Sequence, residues 1–178
     1  MVINTNYAAL SSARNLNESQ TMLTRSLARL STGSKLIHPS DDAAGFAAFT
    51  REVGGRIQVV GDDFLVTDAA RVRRAATIGA ANTVLIKPNQ RGTLTEAKAA
   101  WDAAREVGFA GIVSARSGET EDVTIVHLAM GWGVGQLKVG SFARSERMAK
   151  WNEALRVEES LGARAQFAGG AHLGRSRS

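Results

Sequence analysis

The sequence predicts an α/β protein whose larger part is a run of parallel strands, led by a helical extension. Three observations carry this. Four short β-rich runs recur roughly 25 residues apart, each followed by a turn and then a helical stretch. Such alternation produces parallel strands joined by right-handed crossovers. The first fifty residues lack that alternation and carry an apolar seam at helical spacing.

The four β runs are 57–60 (IQVV), 83–86 (TVLI), 111–114 (GIVS) and 136–139 (QLKV). Helices are expected over about 68–79, 93–107, 121–130 and 144–160. Thr93, Leu94, Thr95 and Glu96 have the spacing of a capping box, and Ser145 is placed to cap the last helix. Four such units make half of a (β/α)8 barrel, or a small open sheet. Upstream, Ala9, Ala13, Leu16, Gln20, Leu23, Leu27 and Leu30 alternate in steps of four and three, the seam of a coiled coil with one polar position. Gly33 marks its stop and Pro39 a loop, and Ser40 or Asp41 is placed to cap a second helix. A lone helix with so narrow a seam is marginal in water. Its partner is either another part of this chain or another molecule.

The chain has 178 residues, with 22 Lys and Arg against 17 Asp and Glu. The surplus is modest and spread out. The densest basic stretch, 172–178, has no interleaved aromatic, so it reads as a frayed end and no nucleic-acid partner is expected. The absence of cysteine excludes thiolate chemistry. No apolar run approaches the roughly 18 residues of a membrane span, and the start lacks a secretory signal. The expected location is cytoplasmic, unless the leader directs export.

Working residues of parallel α/β folds sit at the C-terminal ends of strands. Those ends carry Asp62 and Asp63, then Lys87, then Arg116 and Ser117, with Lys138 in the fourth run. Asp63 reads as a turn residue. A lysine in an apolar strand costs several kcal/mol unless it is paired or solvated. Lys87 and Lys138 therefore suggest an anion site or a lysine base. Arg116 suits a phosphate or carboxylate, and Ser117 adds a hydroxyl. The set suits a metal-bound, phosphorylated acid. Gly131, Gly133 and Gly135 do not form a dinucleotide loop. His38, His127 and His172 lack metal-ligand spacing, and Trp101, Trp132 and Trp151 read as packing residues.

The segments 57–67 (IQVVGDDFLVT), 86–94 (IKPNQRGTL), 115–122 (ARSGETED) and 135–141 (GQLKVGS) resemble successive signatures of enolase, phosphopyruvate hydratase. The stretch 144–159 (RSERMAKWNEALRVEE) resembles its final helix. This resemblance spans about residues 51–170 and implies the last four β/α units of a (β/α)8 barrel. It implies a glycolytic lyase acting on 2-phosphoglycerate or a related phosphorylated acid, with Mg2+ as cofactor. Residue by residue, it makes Asp62 a magnesium ligand, Lys87 the base that takes the α-proton, Arg116 and Ser117 phosphate contacts, and Lys138 the lysine at the substrate carboxylate.

Several positions depart from that family. Ala115 stands where a substrate-contacting histidine is usual, His127 replaces an aspartate, Arg91 an isoleucine and Val139 a threonine. The family draws two further magnesium carboxylates and its acid-side glutamates from an earlier half that has no counterpart in this sequence. Weak Mg2+ binding and no turnover are the expectation, even if two copies close an eightfold ring.

The leader resembles the N-terminal segment of flagellin, through VINTN at 2–6, NLNESQ at 15–20, RLSTG at 29–33 and DDAAG at 41–45. In flagellin this segment serves export and polymerisation. The expected organisation is thus a flagellin-like helical segment at 1–49, an enolase-like half-barrel at 50–170 and a basic tail at 171–178. The resemblances imply an enolase-family fragment, a flagellin-like assembly module with a helix partner or homo-oligomer, or a gene fusion without evolved function.

Overall fold

A computed structural model describes residues 16–17, 19–20, 23–24 and 42–173. The chain separates into two compact units, 1–42 and 43–178. In the first unit residues 16–17, 19–20 and 23–24 are helical, and Leu16 and Leu23 are exposed. The Thr24 hydroxyl donates to the Gln20 carbonyl at 2.8 Å. The other seam positions, Gly33, Pro39 and the capping residues Ser40 and Asp41 lie outside the described residues, as do most of the flagellin-like motifs and residues 174–178 of the tail.

The second unit opens with α1 (Ala43–Val53), followed by β1 (Val60–Gly61), α2 (Ala69–Ile78), β2 (Thr83–Ile86), α3 (Pro88–Arg91), α4 (Leu94–Glu106), β3 (Ala110–Ser114), α5 (Thr124–Gly131), β4 (Leu137–Lys138) and α6 (Ser145–Leu161). The strands form one parallel sheet in the order β1-β2-β3-β4. Among the described residues this is a sequential α/β sheet, as a part of a (β/α)8 barrel would be.

Local chemistry explains the boundaries. Asp68 accepts from the Arg71 amide at 2.8 Å and caps α2. Gly79, at φ 65, closes that helix in the left-handed region where a side chain would be strained. Thr93 accepts from the Glu96 amide at 3.2 Å, while its hydroxyl donates to the Glu96 carboxylate at 2.7 Å. The carboxylate therefore meets the hydroxyl rather than the cap's own amide. That bond, with help from Arg91, lowers the Glu96 pKa.

All four residues of β2 are buried. On the helix side of the sheet the core joins Leu65, Val72, Val84, Ile86, Trp101, Val113, Ile125 and Val134. Fully burying one such side chain contributes about 1.5–3 kcal/mol. On α4 the buried Ala97, Ala100, Ala103 and Ala104 are small enough to let the helix approach its neighbours. Gly111 permits a close contact with α4. A Cβ there would sit 2.5 Å from the Trp101 ring and 2.9 Å from Val134. Trp101 donates its indole N–H to the Trp132 carbonyl at 3.0 Å, so both tryptophans serve packing.

Four boundaries differ from the sequence expectation. β1 pairs only at Val60 and Gly61, because the Asn82 side chain takes the Val59 amide at 2.7 Å in place of a ladder bond. α5 starts at Thr124 because the Asp122 carboxylate accepts from the Thr124 amide at 2.9 Å and holds 121–123 as a turn. Ser145 is the first residue of α6 rather than its cap. Arg144 holds the cap position and makes no side-chain cap bond. Finally, Pro88 at a first helical position and Gly92 at φ 92 define the short α3 where the sequence predicts only a turn.

Candidate functional site

The C-terminal ends of β1 and β2 converge on an ion pair. The ammonium of Lys87, one residue beyond β2, donates to both oxygens of Asp62 at 2.7 Å. Lys87 is largely buried, while the Asp62 side chain is 36% exposed. Burying an ammonium is costly unless it is paired, and Asp62 meets that need. The Gln90 amide on α3 adds a longer bond to Asp62 at 3.3 Å. Thr67 fixes Gln90. Its hydroxyl lies 2.6 Å from the Gln90 carbonyl oxygen and accepts from the Lys87 backbone amide at 2.9 Å. Side chain and backbone of Lys87 are thus held through one connected network.

The turn leading to Thr67 is strained. Val66 and Thr67 are β-branched and lie at φ 45 and φ 52. Such residues rarely enter the left-handed region, at roughly 1–3 kcal/mol each. The amides of Leu65 and Val66 donate to the Asp62 carbonyl at 3.0 and 2.8 Å, which folds the turn tightly enough to aim Thr67 inward. Thr67 is fully buried, so its hydrogen bonds hold the strained backbone in place.

The ends of β3 and β4 differ. Arg116, Ser117 and Lys138 are exposed, and among the described residues their side chains make no hydrogen bond or ion pair. The lysine expected inside an apolar strand is instead the last residue of β4, with its ammonium in solvent. What β4 contributes inward is backbone: the Ser114 hydroxyl donates to the Lys138 carbonyl at 2.9 Å. Asp63 is likewise exposed, as a turn residue would be.

The loop carrying Arg116 and Ser117 is held from beneath by α6. The ammonium of Lys150, 1% exposed, donates to the carbonyls of Thr120 at 2.8 Å and Glu146 at 2.7 Å. It also lies 3.0 Å from the Glu119 carboxylate, whose side chain is 8% exposed. That contact is an ion pair without well-directed hydrogen-bond geometry. The Arg147 guanidinium lies 3.9 Å from the same carboxylate. Asp122 ends the loop, and its bonds from the Thr124 hydroxyl and amide hold its pKa below the usual carboxylate value. A cavity of about 370 Å³ lies between this loop and α3, lined by Asn89, Ala115, Glu119, Thr120 and Lys150 among others.

The structure therefore brings Asp62 and Lys87 into contact and leaves Arg116, Ser117 and Lys138 separate on the same edge of the sheet. Sequence reasoning missed Thr67, Gln90, Glu119 and Lys150. Gln90 had one available signal, since Pro88 at a first helical position turns the next residues back over the strand end. Thr67 had none, because its position depends on an unfavourable backbone conformation. His127 lies 3.1 Å from Glu153, a contact between α5 and α6 rather than a metal site.

A divalent cation needs several hard ligands gathered at one place. Among the described residues no three His, Asp or Glu side chains come together to hold one. Both oxygens of Asp62 are engaged by Lys87. A hard cation such as magnesium needs an octahedral set of oxygens, usually anchored by one or two carboxylates. The residues as arranged do not fit it.

The family described as Enolase, C-terminal TIM barrel domain matches the chain over residues 9–175. The match starts well upstream of residue 51, where the enolase resemblance was expected to begin, and so covers much of the flagellin-like stretch. It agrees with the parallel four-stranded sheet, whose strand ends carry Asp62, Lys87 and Lys138. This chain belongs to the family of the enolase C-terminal TIM barrel domain.

Proposed function

We propose that the chain is an enolase-family fragment that binds a phosphorylated acid at the C-terminal edge of its sheet and does not dehydrate 2-phosphoglycerate by itself. The supporting observation is the contrast along that edge: Lys87 is fully engaged with Asp62, while Arg116 and Lys138 stand exposed and unpaired among the described residues. Two free cations and the Ser117 hydroxyl suit the phosphate and carboxylate of such a ligand. Arg116 and Ser117 would contact the phosphate and Lys138 the carboxylate.

The same geometry argues against turnover. A base must offer a lone pair, and an ammonium donating to both oxygens of one carboxylate has none to offer. Proton abstraction by Lys87 would first require Asp62 to be drawn away. The residues that would do so in a magnesium enzyme are not assembled around Asp62, so Mg2+ binding is weak. Ala115 leaves space where the family's histidine would reach the substrate.

The test is magnesium-dependent conversion of 2-phosphoglycerate, followed by enol absorbance beside a full-length enolase, together with calorimetry of phosphoenolpyruvate binding. No turnover is expected, with binding weakened about tenfold by Arg116→Ala, or roughly 1.4 kcal/mol. Turnover abolished by Lys87→Ala would sink the reading.

One observation favours a second reading. Leu16 and Leu23, seven residues apart in the flagellin-like leader, are helical and exposed. Such a seam suits self-assembly or a partner helix, and a flagellar or secreted location would go with it. No helix among the described residues is long and apolar enough to cross a membrane. A chain with neither ligand binding nor assembly would be a fusion without evolved function.

A further inference from the structure

Two loops of the sheet's C-terminal edge are fastened to one face of α6. Arg147, Lys150 and Trp151 are three and four residues apart, so they share that face. Lys150 holds the 115–123 loop, between β3 and α5, through the Thr120 carbonyl at 2.8 Å. The other two hold the 139–144 loop, between β4 and α6. The Arg147 guanidinium fills the space that a Cβ at Gly140 would need. Phe142 stacks on Trp151, with ring centroids 5.2 Å apart. We infer that Glu119 is a positioning residue. Its carboxylate joins Lys150 to Arg147, and so fixes the loop carrying Arg116 and Ser117 relative to the loop that follows Lys138.

Each oxygen of that carboxylate faces one cation. Oε2 lies 3.0 Å from the Lys150 ammonium, and Oε1 lies 3.9 Å from the Arg147 Nε. Glu119 and Lys150 are buried and Arg147 is mostly so, and attraction between buried charges is little screened. The two cations depend on Glu119 unequally. Lys150 also has the carbonyls of Thr120 and Glu146. Arg147 pairs with no other carboxylate among the described residues, and its Nε is buried there without a hydrogen-bond partner. Neutralising Glu119 therefore leaves Lys150 anchored and frees Arg147, and with it the backbone at Gly140, two residues beyond Lys138. A carboxylate that pinned only its own loop would do the opposite.

The bridge stands on this geometry, and its use rests on the phosphorylated-acid reading. In that reading Arg116 and Ser117 take a phosphate and Lys138 a carboxylate, so one small ligand spans both loops. Holding two contacts at the right spacing makes the second effectively intramolecular. Glu119 then sets the preference for a molecule bearing both anions over one bearing phosphate alone.

The test compares the full chain with its Glu119→Gln variant. Amide hydrogen exchange should quicken about tenfold over residues 139–144 and change little over 116–122. By calorimetry, the affinity for phosphoenolpyruvate should fall about tenfold while that for inorganic phosphate stays within about twofold. Arg147→Met, which keeps Glu119 beside Lys150, should give the same pattern and serves if the first variant does not fold. Faster exchange confined to 116–122 overturns the inference. So does a parallel loss of affinity for both ligands, which a merely structural role would produce. An unaltered chain that binds neither ligand sinks the phosphorylated-acid reading instead, and the exchange pattern alone then decides the bridge.

Discussion

The two halves of the sheet's C-terminal edge are held in different ways. At the β1–β2 corner, Asp62, Thr67, Lys87 and Gln90 form one connected set in which side chains hold side chains. At the β3–β4 corner, the side chains of Arg116, Ser117 and Lys138 make no hydrogen bond or ion pair among the described residues, and order comes from Lys150 gripping the loop's backbone. The first corner is already organised around its own charges. The second presents charges on a backbone fixed from behind. A corner that satisfies itself has little left to offer a ligand, whereas exposed cations on an anchored loop are available to one.

That contrast predicts a ranking of stability effects. The largest belongs to Lys150→Met. It removes the grip on Thr120 and Glu146 and leaves the buried Glu119 carboxylate without its nearest cation. A loss of about 3 kcal/mol is expected from urea unfolding, with faster amide exchange over residues 116–122. An unchanged midpoint would mean that the loop is held by something else.

Asp62→Ala comes next, at about 2 kcal/mol, discounted because Asp62 is partly solvated. Lys87→Met should cost less, since it leaves the more exposed partner unpaired. The reverse order in denaturation midpoints would show that Asp62, not Lys87, is the desolvated member. The smallest effects are those of Arg116→Ala and Lys138→Ala. Each should change the unfolding free energy of the isolated chain by no more than about 0.5 kcal/mol.

Much of this molecule was legible in one dimension. Runs such as TVLI at 83–86 have one plausible home, a strand buried on both faces. The Thr93–Glu96 spacing announced the start of α4. Parallel pairing followed from the β-α alternation, whereas the sequential order β1-β2-β3-β4 came from the structure. Placing Asp62, Lys87, Arg116, Ser117 and Lys138 on a single edge followed in turn, because strand ends in such a sheet share one face.

The state of those residues was not legible. Lys87 and Lys138 look alike in sequence, each near a strand end, yet one is buried against a carboxylate and the other is solvated. Burial depends on what surrounds a position in three dimensions. Thr67 joins the network only because Val66 and Thr67 adopt backbone angles that their side chains disfavour. Lys150, on the helix expected over 144–160, is among the most buried residues because a loop thirty residues earlier folds over it. Local pattern, capping and polarity fixed the elements and the edge on which they converge. Only the tertiary structure decided which charges are paired, since desolvation and ion pairing join groups far apart along the chain.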